Sequence, residues 1–223
     1  MFVCHIALQG CLTLSDVPYG INADTGGHIT YLLELACASA HDPAIDRIHI
    51  VTRGFADAKL GMRFEAQCAE AKGKIRLVRL DDGDPSYLPK EALHERHDEL
   101  CEAFLAYLKD LDRKPDVIHA HYADAGILAR KAKEDLGIPY VFTGHSLGAV
   151  KREVNGGADA SLRSRIDVEE RALALAAAVI ASSRDEAEAQ YAHYDSIEAG
   201  RIRVIPPGCD LTRFESALPS DKV

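Results

Sequence analysis

The chain has 223 residues, a length that fits one large domain or two small ones. Apolar residues make up 47% of it and charged residues 27%, which disfavours a disordered, collagenous or disulfide-scaffold protein. With 26 Lys and Arg against 35 Asp and Glu, the formal net charge is −9. This acidic balance argues against a nucleic-acid-binding surface, although it leaves room for a local basic pocket.

Six cysteines are scattered along the chain without a Cys-x-x-Cys pair, as expected for reduced cytoplasmic thiols rather than disulfides or zinc ligands. Residues 1–8 lack the basic segment of a signal peptide. The longest run of small apolar residues, 172–182, is too short to span a bilayer. We therefore expect a soluble cytoplasmic protein that binds neither nucleic acid nor a membrane.

Short apolar runs alternate with amphipathic segments along the whole chain. Seven of these runs are predicted to be strands: 3–8, 47–51, 74–80, 116–121, 140–143, 178–181 and 202–205. Several are rich in Val and Ile and lack strict alternation, which is typical of strands buried on both faces of a parallel sheet. The pattern predicts a single Rossmann-like, doubly wound α/β domain with a mainly parallel sheet of about seven strands.

Four helices are predicted between the strands. The first, around 29–36, and the second, over 93–108 after a start near Pro89, carry apolar side chains at helical spacing. The third is predicted to start after Asp124 and to stop at Gly137. A capping box at 183–186 begins the fourth.

Two connections, 9–27 and 146–165, are longer than the few residues that usually join the elements of such a fold. Long loops at the carboxyl ends of parallel strands are the usual place for ligands in this fold class. These two loops are therefore the predicted site.

The first loop ends in Asp24-Thr-Gly-Gly-His28, directly before the first helix. Gly26 and Gly27 would let the backbone approach a ligand closely, and the free N–H groups of a helix start favour an anion such as phosphate. A loop whose glycines only permit a tight turn is the alternative. The motif is not Gly-x-Gly-x-x-Gly, so no dinucleotide site is predicted.

Gly144-His-Ser-Leu-Gly148 follows the predicted strand 140–143 and matches the nucleophile elbow of α/β-hydrolases in spelling and in context. A hydrolase would use Ser146 with a downstream histidine, and the only candidate, His193, has charged neighbours. Charged residues 151–153 also follow where a small, buried helix is expected. A serine hydrolase is therefore an open alternative that its surroundings disfavour.

Two histidine pairs have spacings that suggest metal binding. We expect the side chains of His119 and His121 to point to opposite faces of their strand, so that they could not share an ion. His94 and His97 are expected to be surface or boundary residues of a helix. No metal site is predicted from either pair.

Three basic residues lie beside the predicted loops: Lys90, Lys151 and Arg165. Each would ordinarily be a solvated surface charge. Their positions nevertheless allow them to converge on one phosphate group. We expect Lys151 and Arg165 to serve phosphate binding rather than structure, because they lie in and just after a Gly-containing loop.

Five segments together resemble one family. They are residues 23–36, 87–90, 116–126, 142–148 and 204–208, and they occur in that order. They look like the N-terminal half of sucrose-phosphate synthases, which are retaining GT-B glycosyltransferases related to sucrose synthase. The resemblance implies that this half binds a sugar phosphate such as fructose 6-phosphate. A second domain would bind a nucleotide-sugar such as UDP-glucose, with no obligatory metal and no other cofactor.

Carried over to this sequence, the resemblance assigns a role to each motif. His145, as the catalytic residue, would touch the transferred sugar near its reacting carbon, and Ser146 would have no chemical role. Gly26 and Gly27 would meet the donor phosphates and the acceptor. His28 stands where the family usually has Gln, close to the acceptor, which implies a changed acceptor geometry or identity.

The remaining motif residues are assigned to the acceptor. Lys90, Lys151 and Arg165 would hold its phosphate, while Tyr122 and Asp124 would lie near its sugar. This set and the preceding one together make up the predicted substrate site.

The resemblance also implies a domain organisation. Residues 1–206 would form the acceptor-binding domain and 207–223 the start of an interdomain linker. The donor-binding domain, supplied in cis or in trans, is not part of this sequence. Residues 1–223 alone are therefore expected to bind acceptor weakly and to be inactive. A non-catalytic sugar-phosphate-binding module is the second alternative.

Overall fold

The computed structural model describes residues 1–154 and 160–208. Within them, eight strands form one sheet in the order β3-β4-β2-β1-β5-β6-β7-β8. The strands are β1 Phe2–Ile6, β2 Arg47–Arg53, β3 Glu70–Lys72, β4 Ile75–Leu80, β5 Val117–His121, β6 Tyr140–Thr143, β7 Ala178–Ala181 and β8 Ile202–Val204. Every pairing is parallel except that of β3 with β4.

Five α-helices lie in the described part of the chain. They are α1 Gly27–His41, α2 His97–Asp110, α3 Tyr122–Leu136, α4 Gly148–Val154 and α5 Ala160–Ala174. Shorter helical turns cover Met62–Phe64, Leu93–Arg96, Glu186–Gln190, Tyr191–His193 and Ala199–Arg201. Within the described residues, no helix is long and apolar enough to cross a membrane.

Both faces of the sheet are covered, as the lack of alternation in the strands predicted. In β1, Cys4 and Ile6 pack into a core that α2, α3 and α5 share, whereas Val3 packs with α1 on the opposite face. Side chains alternate between the faces of a strand, so a central strand such as β1 contributes to two hydrophobic layers. The fold is therefore the predicted doubly wound α/β domain.

The eighth strand was not predicted from the sequence. Glu70–Lys72 is a short antiparallel edge strand with half-buried and exposed side chains, so it lacks the apolar signal of the parallel strands. The other seven predicted strands are confirmed, with shifts of at most two residues at their ends.

The helices differ from the predictions in several respects. The second begins not near Pro89 but at Leu93, as a short turn over Leu93–Arg96 that α2 continues, and α4 and α5 were not predicted as helices. The third helix begins at Tyr122, not after Asp124, and it ends as predicted at Gly137, which adopts a left-handed conformation with φ 73°. The predicted long loop 146–165 contains α4 and the start of α5. The Gly156–Gly157 pair of that loop lies outside the described residues.

The predicted fourth helix is irregular rather than a regular α-helix. The backbone N–H of Glu186 bonds Ser183 Oγ at 3.1 Å, as a capping box requires. The Glu186 carboxylate, however, turns back to the N–H and hydroxyl of Ser182, at 2.7 and 2.5 Å. The segment then continues as the turns over Glu186–Gln190 and Tyr191–His193.

Candidate functional site

The parallel strands β1, β5 and β6 are neighbours, so the segments that follow them meet at one edge of the sheet. A cleft of about 410 Å³ opens there, and Gly27, His28, Tyr31, Tyr122, His145 and Glu186 are among the residues that line it. We call this space the histidine cleft. It brings together His145, Gly27, His28 and Tyr122 of the predicted site.

Two residues of the histidine cleft have left-handed backbones although they are not glycines. Tyr122 has φ 70° directly after β5, and His145 has φ 56° just after β6. Such conformations cost on the order of 1–3 kcal/mol and concentrate at functional sites. In a nucleophile elbow the strained residue is the nucleophile itself, yet here it is His145 and not Ser146.

A row of histidine side chains runs along the boundary between β1 and β5 toward the cleft. His5 Nδ1 lies 3.2 Å from His121 Nε2, and His121 Nδ1 lies 2.9 Å from His145 Nε2. The expectation that His119 and His121 point to opposite faces is wrong. Residues two apart in a strand share a face, and these two rings stack with centroids 4.1 Å apart.

The buried histidines are neutral at physiological pH. Burial lowers the pKa of His5 to about 4 and that of His145 to about 3. Burial, reinforced by the neighbouring histidines, also holds the pKa of His119 and His121 well below the ordinary value. Each ring therefore offers one N–H donor and one bare nitrogen.

Three of these rings are close enough to be considered as metal ligands. One ring nitrogen each from His5, His119 and His121 lies within 4.8 Å of the others. Neutral imidazoles can ligate zinc or related ions. The group contains no carboxylate or thiolate to balance the ion's charge in a fully buried place, which makes such binding costly.

The glycine pair before α1 leaves open space. A Cβ at Gly26 or Gly27 would meet no described atom within 4 Å. Gly26 has an extended backbone that other residues can adopt, with φ −142°. The chain's own packing therefore does not require glycine here, which is the arrangement expected where a ligand approaches the helix start.

A second pocket of about 420 Å³ adjoins the first, since Tyr122 lines both. We call it the basic pocket. It brings together the other predicted acceptor residues: Lys90, Asp124, Lys151 and Arg165. The convergence of these three cations, which come from distant parts of the chain, is as predicted.

The three cations of the basic pocket differ in their partners. Lys90 Nζ lies 3.3 Å from Asp24 Oδ1, and Arg165 Nε donates to Glu169 Oε1 at 2.9 Å. Lys151 is largely exposed, and the partial desolvation of its ammonium, followed by the charges of Arg165 and Lys90, lowers its pKa. Cations that repel one another in this way favour an anionic ligand.

Arg165 also has a structural role that the sequence did not indicate. Its Nη2 donates to the carbonyl oxygen of Ser146, next to His145. Its partner Glu169 is buried and accepts hydrogen bonds from Gly148 N at 3.0 Å and from the Tyr194 hydroxyl. The expectation that Arg165 has no structural role is therefore wrong, because Arg165 holds the loop that carries His145.

Sequence reasoning missed several side chains around the site. Asp124 is held by His97 Nε2 at 2.8 Å and by Gln9 Nε2 at 3.4 Å. His97 is half-buried, as expected of a boundary residue, but its contact with Asp124 was not predicted. Gln9 and His97 carry no local motif. They are identified only by their hydrogen bonds to Asp124, which lies more than 25 residues away from each of them in the sequence.

His28 lines the histidine cleft with one ring nitrogen unused. Its Nε2 is buried and has no hydrogen-bond partner among the described residues. Burial lowers the pKa of its imidazole, and a hydrogen bond to the Gln9 backbone partly offsets the shift. His28 is therefore a neutral group with a polar atom available for a ligand.

The sequence and the structure were compared with known proteins. Residues 25–213 match Glycosyltransferase Family 4. A probable sucrose-phosphate synthase 3 of Arabidopsis thaliana is 28% identical over 96% of this chain and 26% of its own length. The sucrose-phosphate synthase of Zea mays is 29% identical over 95% and 25%. The chain thus spans about a quarter of these relatives.

Solved structures show the same architecture. A sucrose-phosphate synthase from Thermosynechococcus elongatus is 25% identical, with a TM-score of 0.72, and the match covers 99% of this chain and 53% of that one. The catalytic domain of starch synthase IV from Arabidopsis thaliana, at 14% identity and a TM-score of 0.60, shares the fold over 96% of this chain and 52% of its own.

These findings exclude the serine hydrolase among the alternatives that the motifs left open. The interpretation of Gly144-His-Ser-Leu-Gly148 as a serine hydrolase motif is wrong, because residues 25–213 match Glycosyltransferase Family 4 and the strained position is His145. The sheet is the N-terminal, Rossmann-like half of a GT-B fold. The chain belongs to Glycosyltransferase Family 4.

Proposed function

We propose that this chain is the acceptor-binding half of a hexosyltransferase that resembles sucrose-phosphate synthase. The observation that carries the proposal is the adjacency of the two pockets, which share Tyr122 at the carboxyl edge of the sheet. A phosphorylated sugar in the basic pocket would extend its reacting hydroxyl past Tyr122 toward the histidine cleft. A nucleotide-sugar-binding domain, joined through a linker that begins near residue 207, would present the hexosyl group there.

The acceptor is a sugar phosphate of the fructose 6-phosphate type. Lys90, Lys151 and Arg165 surround the place for its phosphate, and Asp124 is oriented by His97 to accept from a sugar hydroxyl. His28 stands beside Tyr122, with ring centroids 5.1 Å apart. Its imidazole is shorter than the family's usual glutamine, so the acceptor would sit deeper or differ in shape.

The donor side is proposed for the histidine cleft. His145 would contact the transferred hexosyl group near its reacting carbon, and the N–H groups that open α1 after Gly26 and Gly27 would face the donor diphosphate. The donor would be a nucleotide-sugar such as UDP-glucose.

The proposed compartment is the cytoplasm. It is supported by the free thiols among the described cysteines: Cys4, Cys11, Cys37, Cys68 and Cys101. Fractionation of the native cell with an antibody to this chain would test the location.

The test of the acceptor site compares two substitutions. Lys151→Ala is expected to weaken fructose 6-phosphate binding by roughly 1–3 kcal/mol, about 5- to 150-fold in Kd, because a charge-assisted hydrogen bond is lost. Tm should barely change, since Lys151 is exposed. Arg165→Ala should weaken binding similarly but also lower Tm, because it leaves the buried Glu169 without its cation. Calorimetric titration and thermal melts measure both.

Lys109→Ala is the matched control, since Lys109 is an exposed helical lysine outside the basic pocket. It should change neither Kd nor Tm. If Lys151→Ala bound the sugar phosphate as tightly as the unsubstituted chain, the basic pocket would not be the phosphate site.

A substitution at Gly27 tests the open space at the helix start. Gly27→Ala should leave Tm unchanged or slightly raised, because an alanine Cβ meets nothing there and alanine favours a helix by about 1 kcal/mol over glycine. In the chain joined to a donor-binding half, hexosyl transfer should fall at least about tenfold, a change of 1.4 kcal/mol, as the methyl group occupies ligand space.

Gly10→Ala provides the contrast. Gly10 has φ +80°, and its Cβ would lie 2.3 Å from the Asp24 carbonyl oxygen, so this substitution should lower Tm sharply. Unchanged transfer in Gly27→Ala would show that no ligand approaches the start of α1.

A further inference from the structure

We propose that His5, His121 and His145 form a hydrogen-bonded imidazole relay that holds the proton of His145 on Nδ1, so that His145 presents an N–H donor to the histidine cleft. His5 and His121 are then positioning residues that act through His145. The relay itself is a property of the chain without ligand. Only the identity of the oxygen that accepts from His145 rests on the proposed function.

The two hydrogen bonds of the relay must run in the same direction. His5 Nδ1 and His121 Nε2 are 3.2 Å apart, and His121 Nδ1 and His145 Nε2 are 2.9 Å apart. A neutral imidazole has one N–H and one bare nitrogen. If His121 accepts from His5 at Nε2, its proton is on Nδ1 and it donates to His145; the reverse direction reverses both bonds.

The buried end of the relay decides the direction. His5 Nε2 has no hydrogen-bond partner among the described residues, and its atom is shielded from water. In the reverse direction this nitrogen would carry a buried N–H without an acceptor, a situation that folded proteins rarely contain. In the proposed direction it is a bare nitrogen. The other end, at His145, opens into the cleft, where water or a ligand can accept.

The groups packed against the relay do not offer a competing proton path. His119 stacks on His121 but directs its Nε2 to Thr143 Oγ1 at 2.8 Å. Tyr31, His28 and Tyr122 contact the relay through their ring edges or tilted faces. Burial also lowers the pKa of all three relay histidines, so that each ring stays neutral and carries a single N–H.

The inference specifies what His145 can recognise. Its Nε2 is occupied by His121, so Nδ1 is the nitrogen left for the cleft, and it can only donate. It would bind an oxygen with a free lone pair, such as a sugar hydroxyl or a phosphate oxygen.

The test is NMR of the 223-residue chain labelled with ¹⁵N-histidine at neutral pH, without ligand. Long-range proton–nitrogen spectra distinguish protonated from bare ring nitrogens. We expect His145 and His5 each to show a protonated Nδ1 and a bare Nε2. A proton on His145 Nε2 would overturn the proposal in the unsubstituted chain, before any variant is made.

Substitution of His5, at the buried end of the relay, should change the tautomer of His145 at its other end. His5→Phe removes the donor, so His121 and His145 should lose their single tautomer and show averaged nitrogen shifts. His5→Gln, whose amide can donate in place of the imidazole, should restore the single tautomer. His49→Phe is the matched control, because His49 is a buried histidine on the adjacent strand β2 that pairs with Tyr107. It should leave His145 unchanged.

The remaining outcomes are also decisive. Unaltered His145 shifts in His5→Phe would show that the rings are not coupled. A stoichiometric metal ion in the purified chain, whose removal by a chelator shifts His5, His119 and His121 together, would replace the relay with a metal site. None of these readouts needs a sugar. A failure to bind fructose 6-phosphate would therefore contradict the proposed function and leave the relay intact.

Discussion

Residues 1–223 alone are expected to fold but to transfer no hexosyl group from UDP-glucose to fructose 6-phosphate. The match to a sucrose-phosphate synthase structure covers 53% of that protein, so about half of its architecture lies outside these residues. Holding two substrates in a reactive geometry can supply roughly 7–11 kcal/mol. One wall of a cleft can neither align the donor nor exclude water from it.

Mass-spectrometric detection of the phosphorylated disaccharide measures this result. The positive control is the same chain with a nucleotide-sugar-binding half supplied, either joined to it or separate, in which transfer should appear. Cooperative unfolding of residues 1–223 is the check that the chain is folded. Robust turnover by these residues alone would contradict the proposed division of labour between two halves.

The second large effect is loss of stability in mild acid. Burial lowers the pKa of His5 and His49 to about 4 in the folded chain, from an ordinary value of 6.5. The unfolded chain therefore binds more protons below about pH 6.5, and the free energy of unfolding must fall as the pH drops through that range. At about pH 5 each such histidine lowers the free energy of unfolding by about 2 kcal/mol.

His119, His121 and His145 act in the same direction, so together the buried histidines can remove much of the 5–15 kcal/mol that stabilises a typical domain. Carboxyl groups with lowered pKa, such as Asp84 and Asp112, lose their stabilising effect only below about pH 4. The loss between about pH 6.5 and about pH 4 is therefore assigned to histidine. Urea denaturation at a series of pH values measures it.

His49→Phe should flatten this pH dependence by about one proton, because it removes one buried titrating ring without touching the cleft. The exposed His41→Ala should leave the slope unchanged. A stability that stays constant from about pH 7 to about pH 5 would show that these histidines are not held neutral by the fold.

The sequence predicted the sheet well because its signal is local. Strands that pack on both faces are rich in apolar side chains, and seven of the eight strands were found as short apolar runs, the exposed edge strand β8 included. Gly137 marked the end of α3 correctly, since a left-handed residue there favours glycine. The edge strand Glu70–Lys72 escaped because an exposed, antiparallel edge needs no apolar run.

The convergence of the basic residues was predicted in outline for a similar reason. The segments that follow parallel strands meet at one edge of the sheet whatever their sequence. Three basic residues lie in such segments, so their convergence could be expected: Lys90, Lys151 and Arg165. The structural role of Arg165 could not be predicted, because its ion-pair partner Glu169 looks from the sequence like an ordinary helical glutamate.

The sequence by itself determined the fold class and the edge of the sheet where the candidate site residues converge. The tertiary structure alone decided which side chains touch. His5 and His121 are 116 residues apart and meet only because β1 and β5 are paired in one register, with His5 opposite His119. A shift of one residue would send every side chain of the strand to the other face, so such contacts depend on strand order and register, which no local pattern encodes.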